Sequence, residues 1–228
     1  MFLFQLLALM GEWDKADMQL RTLASLSPGA RMLADAYGAA IAAERLRASA
    51  FAGQQDFPVL LRGGDWIDPL AHSLRLRAVG EIAAADAARI AAFDAVPDMP
   101  GTADDVRFEW IADADSRFGP ALEAIIQGQW GLIGLDAVEA IESAGARDLR
   151  DLVWYPVKIR PRSGGTIAAM LPVRYPGSEI SPDRSETLAR VTNWRDQGSG
   201  ACGSGQRLLA LSSGEALPLL SLRALAFD

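Results

Sequence analysis

Partway along the chain, at VPDMPGTADD (residues 96–105), the spacing of its apolar residues changes, and that change most limits the folds open to it. Before it, apolar residues recur three or four apart: Leu33, Tyr37 and Ile41; Leu70 and Leu74; Val79, Ile82, Ile90 and Phe93. Such spacing places side chains along one face of a helix. Gly- and Pro-bearing breaks at GEWD, SLSPGA and FAGQQDFPVLLRGGDW divide this half into successive helices. After it, Val106, Phe108, Trp110 and Ala112 alternate with Arg107, Glu109 and Ile111, as along a strand. GQWGLIGL and AVEAIES are further short strand candidates. WYPVKIRPRSGGTIAAMLPVRYPG has the pattern of a hairpin turning at Ser163-Gly164-Gly165, and GQRLLALSSGEALPLLSL of one turning at Ser212-Ser213-Gly214. Pro156, Pro161 and Pro172 suit edges or strand ends, because proline cannot donate to a ladder. The expected architecture is multidomain, α and α+β: a helical region over 1–97, and an α+β domain over 106–228 with short, largely antiparallel strands.

The first half carries one more specific spacing. In GEWDKADMQLRTLASLSP, Ala16 is followed by Leu20, Leu23 and Pro28, the order found in the second helix of a tetratricopeptide repeat. There a small residue lets two helices approach, leucines fill the groove between them, and proline stops the helix. A generic helical hairpin shares the pattern. One helix pair cannot bury its own apolar face, so a neighbour is expected, and residues 30–52 supply the next helix.

Residue counts remove several chemistries. Cys202 is the only cysteine and His72 the only histidine, so an intrachain disulfide, a cysteine-rich metal site and a two-histidine metal site are all excluded. A net charge of -7 and scattered arginines oppose a broad nucleic-acid surface; Lys15 and Lys158 are the only lysines. The start, MFLFQLLALMGEW, has neither the basic flank nor the cleavage site of a secretory signal and is too short to span a bilayer. The expectation is a buried first helix in a cytoplasmic protein.

FEWIADADSRFGP (residues 108–120) is the strongest candidate site, through Asp113, Asp115, Ser116 and Arg117. The pattern places a strand ending near Ala112 and a helix beginning around Gly119, with Pro120 in its first turn. The acids then have three readings: caps on free backbone N–H groups, ligands of a divalent metal, or a polar edge that docks another protein. A metal would need further oxygens from Glu109, Glu123, Asp148 or Asp151. GSGACGSG (residues 198–205) contains Gly198, Gly200 and Gly203 at dinucleotide-fingerprint spacing, yet lacks the flanking βαβ unit and is expected to be a loop with Cys202 exposed. Ser178 lies outside any nucleophile elbow. Trp66, Trp110, Trp130, Trp154 and Trp194 fit a core or an interface.

Four strings, RFEWIADADSRFGPALEAIIQGQW, DLRDLVW, RYPGSE and GQRLLAL, occur in an order that resembles the ImpE/TagJ family (SciE-type), accessory proteins of bacterial type VI secretion. FLFQLLALMGEWDKA resembles the helical half of the same family. The resemblance implies a tetratricopeptide-like region joined to an α+β domain, with no enzyme activity and no cofactor. It implies a partner, the N-terminal helix of the small contractile-sheath subunit (TssB), and through it a link to the sheath-recycling ATPase ClpV. An acidic receptor is expected to favour a helix whose polar face carries Lys or Arg. Two rival readings are a metal-dependent transferase using Asp113 and Asp115, and a self-associating scaffold. Family members carry a further helical segment ahead of FLFQLLALMGEW, where this chain starts. Either the gene start is set too far downstream or a helix pair is missing, which would leave Phe2, Leu6 and Leu9 exposed.

Overall fold

The computed structural model describes residues 1–196 and 200–228. The first half forms α1 (Phe2–Leu9), α2 (Trp13–Leu26), α3 (Arg31–Phe51), a short β1 (Val59–Leu61), α4 (Ile67–Ala78) and α5 (Ile82–Asp94). Successive helices pack against one another, α1 on α2, α2 on α3 and α4 on α5. Along α2 the residues turned fully inward are Ala16 and Leu20, and Pro28 lies past the helix end in a 3₁₀ turn. The helix expected over 30–52 is α3. In α1 only Leu9 of the three expected apolar residues is buried; Leu6 is half-buried and Phe2 is 66% exposed. None of the described helices is long and apolar enough to cross a membrane.

The apolar face assigned to the α4–α5 hairpin needs correction. Val79, Ile82 and Ile90 are exposed, and the buried side of α5 is instead Ala85 and Ala92. α5 thus turns small residues inward while its larger aliphatics Ile82 and Ile90 face outward. Ser73 of α4 donates across the same joint to the Ala85 carbonyl at 2.8 Å.

The remaining strands are β2 (Gly101–Ala103), β3 (Val106–Phe108), β4 (Ile111–Asp113), β5 (Ala121–Ile126), β6 (Gln129–Gly134), β7 (Val138–Glu142), β8 (Trp154–Pro161) and β9 (Ile167–Pro172). After a one-turn α6 (Arg184–Thr187) follow β10 (Thr192–Asp196), β11 (Ala201–Gly205), β12 (Leu208–Leu211), β13 (Ala216–Pro218) and β14 (Ala224–Phe227). Nine strands form one sheet in the order β1-β6-β5-β9-β8-β7-β14-β2-β3. Only β1 and β6 run parallel; the other neighbours are antiparallel. β13-β12-β4 make a small second sheet and β10-β11 a ribbon. The protein is thus α+β, helical first and strand-rich after.

Each face of the large sheet has its own core. Ala121, Ile125, Trp130 and Trp154 pack with the helices, joining Phe4, Leu20, Ile41 and Leu70 in one cluster. Leu122, Ala124, Val157, Ile159 and Leu225 face the other way, with Leu209, Leu211 and Leu219 over them. Buried residues from both halves therefore share one cluster, and β1 adds a strand from the first half to the sheet of the second.

Four local expectations are corrected by these contacts. No helix follows Pro120: ALEAII is β5, paired on both sides with β6 and β9. Its residues favour a helix, but burial of both faces and two ladders outweigh that weak preference. The strand expected over residues 106–112 breaks at Glu109–Trp110 into β3 and β4, which belong to different sheets, and its phase shifts so that Phe108, Ile111 and Asp113 point inward. Part of the expected glycine loop is strand β11, paired to β10 from Ala201 to Gly205, and Cys202 is buried in it; Gly198 lies outside the described residues. Pro156 occupies an interior strand, β8, but beyond the last residue with which β7 pairs, while Pro161 and Pro172 end their strands. Both expected hairpins form, β8–β9 and β12–β13.

Candidate functional site

At the end of β4 the chain turns back sharply into β5. Asp113 Oδ1 accepts from the Asp115 amide at 2.9 Å, and Asp115 Oδ1 accepts from the Arg117 amide at 2.9 Å. Each acid thus caps the backbone two residues on, the arrangement short carboxylates favour in turns. Gly119 closes the turn with φ +51, and a Cβ there would collide with the Phe93 ring of α5. Only glycine meets both demands cheaply.

Asp113 and Asp115 do not reach the surface; they are 3% and 0% exposed. The docking edge expected of them is corrected: each is covered by the cation or ring it binds. Asp115 is chelated by Arg117 through Nε at 2.9 Å and Nη2 at 2.6 Å, and it also accepts from the Gly203 amide at 2.7 Å. Asp113 pairs with Arg207 and accepts from the Tyr175 hydroxyl at 2.8 Å. Of the four candidates, Ser116 and Arg117 keep partial exposure.

Beyond the turn a buried charged network continues. Arg207 reaches from Asp113 to Glu123 of β5, its guanidinium 4.7 Å from the Phe118 ring centroid and 5.0 Å from that of Tyr175. Glu123 is also gripped by Arg47 of α3, through Nε at 2.7 Å and Nη2 at 3.0 Å, and by Trp130 Nε1 at 2.9 Å. Arg47 donates further to the Arg174 carbonyl at 2.8 Å, and Glu44 accepts from Trp154 Nε1 at 3.1 Å. Arg174 in turn donates to the carbonyls of Leu9 at 2.6 Å and Thr187 at 2.8 Å. One chain of polar contacts thereby fixes α1, α3, β4, β5 and the segments after β9 and β11.

The two central acids end on opposite sides of their ordinary values. Burial pushes the Asp113 carboxyl up to about 6; Arg207 pulls against this and Asp115 adds to it. Burial also acts to raise Glu123, yet Arg47 and Arg207 together hold it down at about 2. Tyr175 is raised by burial and by Asp113.

Asp113, Asp115 and Glu123 are all closed off from solvent. Of the further carboxylates proposed as metal ligands, Glu109 is exposed, Asp151 accepts the Arg147 and Asp148 amides at 2.7 and 3.1 Å, and Asp148 binds Arg150 at 2.8 Å. Among the described residues no three His, Cys, Asp or Glu groups are placed to hold a metal. Ser178 is buried, donating to the Tyr175 carbonyl at 2.6 Å and accepting from the Gly205 amide at 2.8 Å. Burial raises the Cys202 thiol, and His72 is exposed. Trp66, Trp130 and Trp154 are core residues, whereas Trp110 and Trp194 are 51% and 41% exposed.

Sequence reasoning missed Arg47, Arg207, Tyr175 and Glu44, and named Glu123 only as a spare metal ligand. A signal existed for Glu123, which interrupts the apolar run ALEAII. A lone charge in an apolar run implies a buried partner.

The chain is thus an α+β protein whose buried charged groups are bound to one another at the joint between helices and sheet. Residues 105–226 match the family model described as ImpE protein. The chain is 40% identical over 227 residues to the type VI secretion system accessory component TagJ of Pseudomonas aeruginosa, covering 100% of this chain and 79% of that protein. The chain belongs to the ImpE family. Its fold is that of the crystal structure of protein VPA1032 from Vibrio parahaemolyticus, with a TM-score of 0.86 at 21% identity over 99% of this chain and 84% of that one.

Proposed function

We propose that this chain is a non-enzymatic accessory protein of a bacterial type VI secretion system, a cytoplasmic adaptor that binds the N-terminal helix of the small sheath subunit (TssB) and is linked through it to ClpV. The observation that carries this is the 40% identity, along 227 residues, to a protein named a type VI secretion system accessory component. Burial of Asp113 and Asp115 supports the non-enzymatic part, since a reaction needs groups that substrate can touch. In this reading residues 1–97 act as a tetratricopeptide-like platform, with Ala16 and Leu20 at its helix joint, and 106–228 as the ImpE-type domain. Ser116 and Arg117 are the part of the candidate docking edge that reaches solvent.

The test is titration of a fluorescent peptide of the sheath subunit's N-terminal helix, with and without millimolar Mg²⁺. Saturable binding that ignores the metal is expected. Absence of binding at high micromolar protein would sink the adaptor, and binding seen only with Mg²⁺ would restore the metal reading of Asp113 and Asp115. A self-associating scaffold is favoured by one observation, the exposed Phe2, Leu3 and Met10 of the first helix and its end. A monomer in light scattering at working concentration would remove it.

A further inference from the structure

We infer that the partner helix seats in the groove between α3 and the bare part of the large sheet, and that this groove selects a helix carrying carboxylates beside its apolar stripe. The inference rests on the adaptor reading only in taking the ligand to be a helix. Its location and charge preference come from the groove itself.

Alternation along β8 puts Trp154, Pro156 and Lys158 on one face of the sheet. Trp154 lies under the helices, but Pro156 and Lys158 are exposed, as is Ala168, the cross-strand partner of Lys158 in β9. The helical layer therefore ends partway across this face. α3 forms one wall with Ala36, Tyr37 and Ala39, and the uncovered strands form the floor, enclosing about 1190 Å³. A cylinder about 10 Å wide and about 15 Å long, roughly ten residues of helix, occupies a similar volume. Alanines on wall and floor let a helix backbone come close, and Met170 and Pro156 offer apolar contact.

The charges around the groove oppose those of the whole molecule. Four cations border it, Arg147, Arg150, Lys158 and Arg223. The side chains of Arg147 and Lys158 make no ion pair among the described residues. The Arg223 side chain donates to Tyr155 Oη at 2.7 Å and to the carbonyls of Leu220 and Leu222, and Arg150, though paired with Asp148, keeps Nε and Nη1 buried without an acceptor. Of the three bordering carboxylates, Asp148 and Asp151 are committed to Arg150 and to backbone amides. Glu142 of β7, opposite Lys158 of β8, has no ion pair among the described residues. A chain of net charge -7 thus presents this groove as a cationic one. This reverses the expectation that an acidic receptor would choose a basic helix, because recognition follows the local field and not the total charge.

The test uses the full chain, the sheath-helix peptide and three exposed-site variants: Lys158→Glu with Arg147→Glu, Ala36→Trp to fill the groove, and Lys15→Glu as a remote control. The expected result is at least tenfold weaker binding for the first two, less than twofold change for the control, and weakening of wild-type binding by 0.5 M salt. Thermal midpoints should match wild type, since none of the altered residues is buried. Wild-type binding that the groove variants leave intact overturns the location while the adaptor stands. Tighter binding after charge reversal, with loss in Ala36→Trp, overturns the acidic ligand. No binding to the unaltered protein removes the adaptor reading and this inference together.

Discussion

Arg207 shows what a single side chain does at the centre of this protein: it neutralises Asp113 and Glu123 at once, with both carboxylates out of water. Replacing it by methionine leaves two buried acids short of a cation, which should cost about 3–5 kcal/mol in urea unfolding; a loss under about 1 kcal/mol would mean the acids simply take up protons or water. The acids also predict a pH profile. Asp113 has a folded pKa of about 6 against an ordinary 3.8, so its contribution is fully present below 3.8 and is lost as pH rises through 6. Glu123, at about 2 against 4.5, contributes above 4.5 and loses that contribution as pH falls toward 2. In Asp113→Asn the decline between pH 4 and 6 should vanish while the loss below pH 4.5 persists, checked by urea midpoints across pH; an unchanged profile would assign the decline elsewhere. At this scale the sequence was informative about residue type but not partner. Asp113 and Asp115 were legible as turn-capping acids, which they are, but Arg207 is distant in sequence and pairs with them only through the fold.

At the scale of elements, local pattern succeeded where one force dominated and failed where several competed. The two hairpins were legible because their turns carry Gly164-Gly165 and Gly214 between apolar runs. β5 was not, because ALEAII suits a helix by composition and becomes a strand only when β6 and β9 flank it. Nor was the outward turn of Val79, Ile82 and Ile90, since periodicity marks an apolar face without saying how closely the neighbouring helix approaches. The tight turn before β5 gives a sharp prediction. Gly119→Ala must place its Cβ against the Phe93 ring at a positive φ, so it should destabilise by more than about 1 kcal/mol and lower the thermal midpoint. A midpoint equal to wild type would show that α5 shifts freely on the sheet.

At the scale of the whole molecule, the change in periodicity at residues 96–105 marks the passage from helices to strands, yet the apolar cluster beneath the helices draws from both sides of it. Helix loss by circular dichroism and exposure of Trp130 and Trp154 by fluorescence should therefore follow one urea transition with a common midpoint. Two separated midpoints would make the halves independent units. Strand order was hidden from sequence because neighbours in the sheet are remote along the chain: β14 lies between β7 and β2, pairing Leu225 with both Ile141 and Ala103. That arrangement bears on how the protein is made. While the ribosome is still translating the middle of the chain, the β2–β3 hairpin has no seat in the sheet, and β7 has an open side. Both wait for a strand encoded more than eighty residues after β7 begins. Until it emerges, the nascent chain carries two unsatisfied edges that can pair wrongly, so chaperones and translation speed should govern its yield.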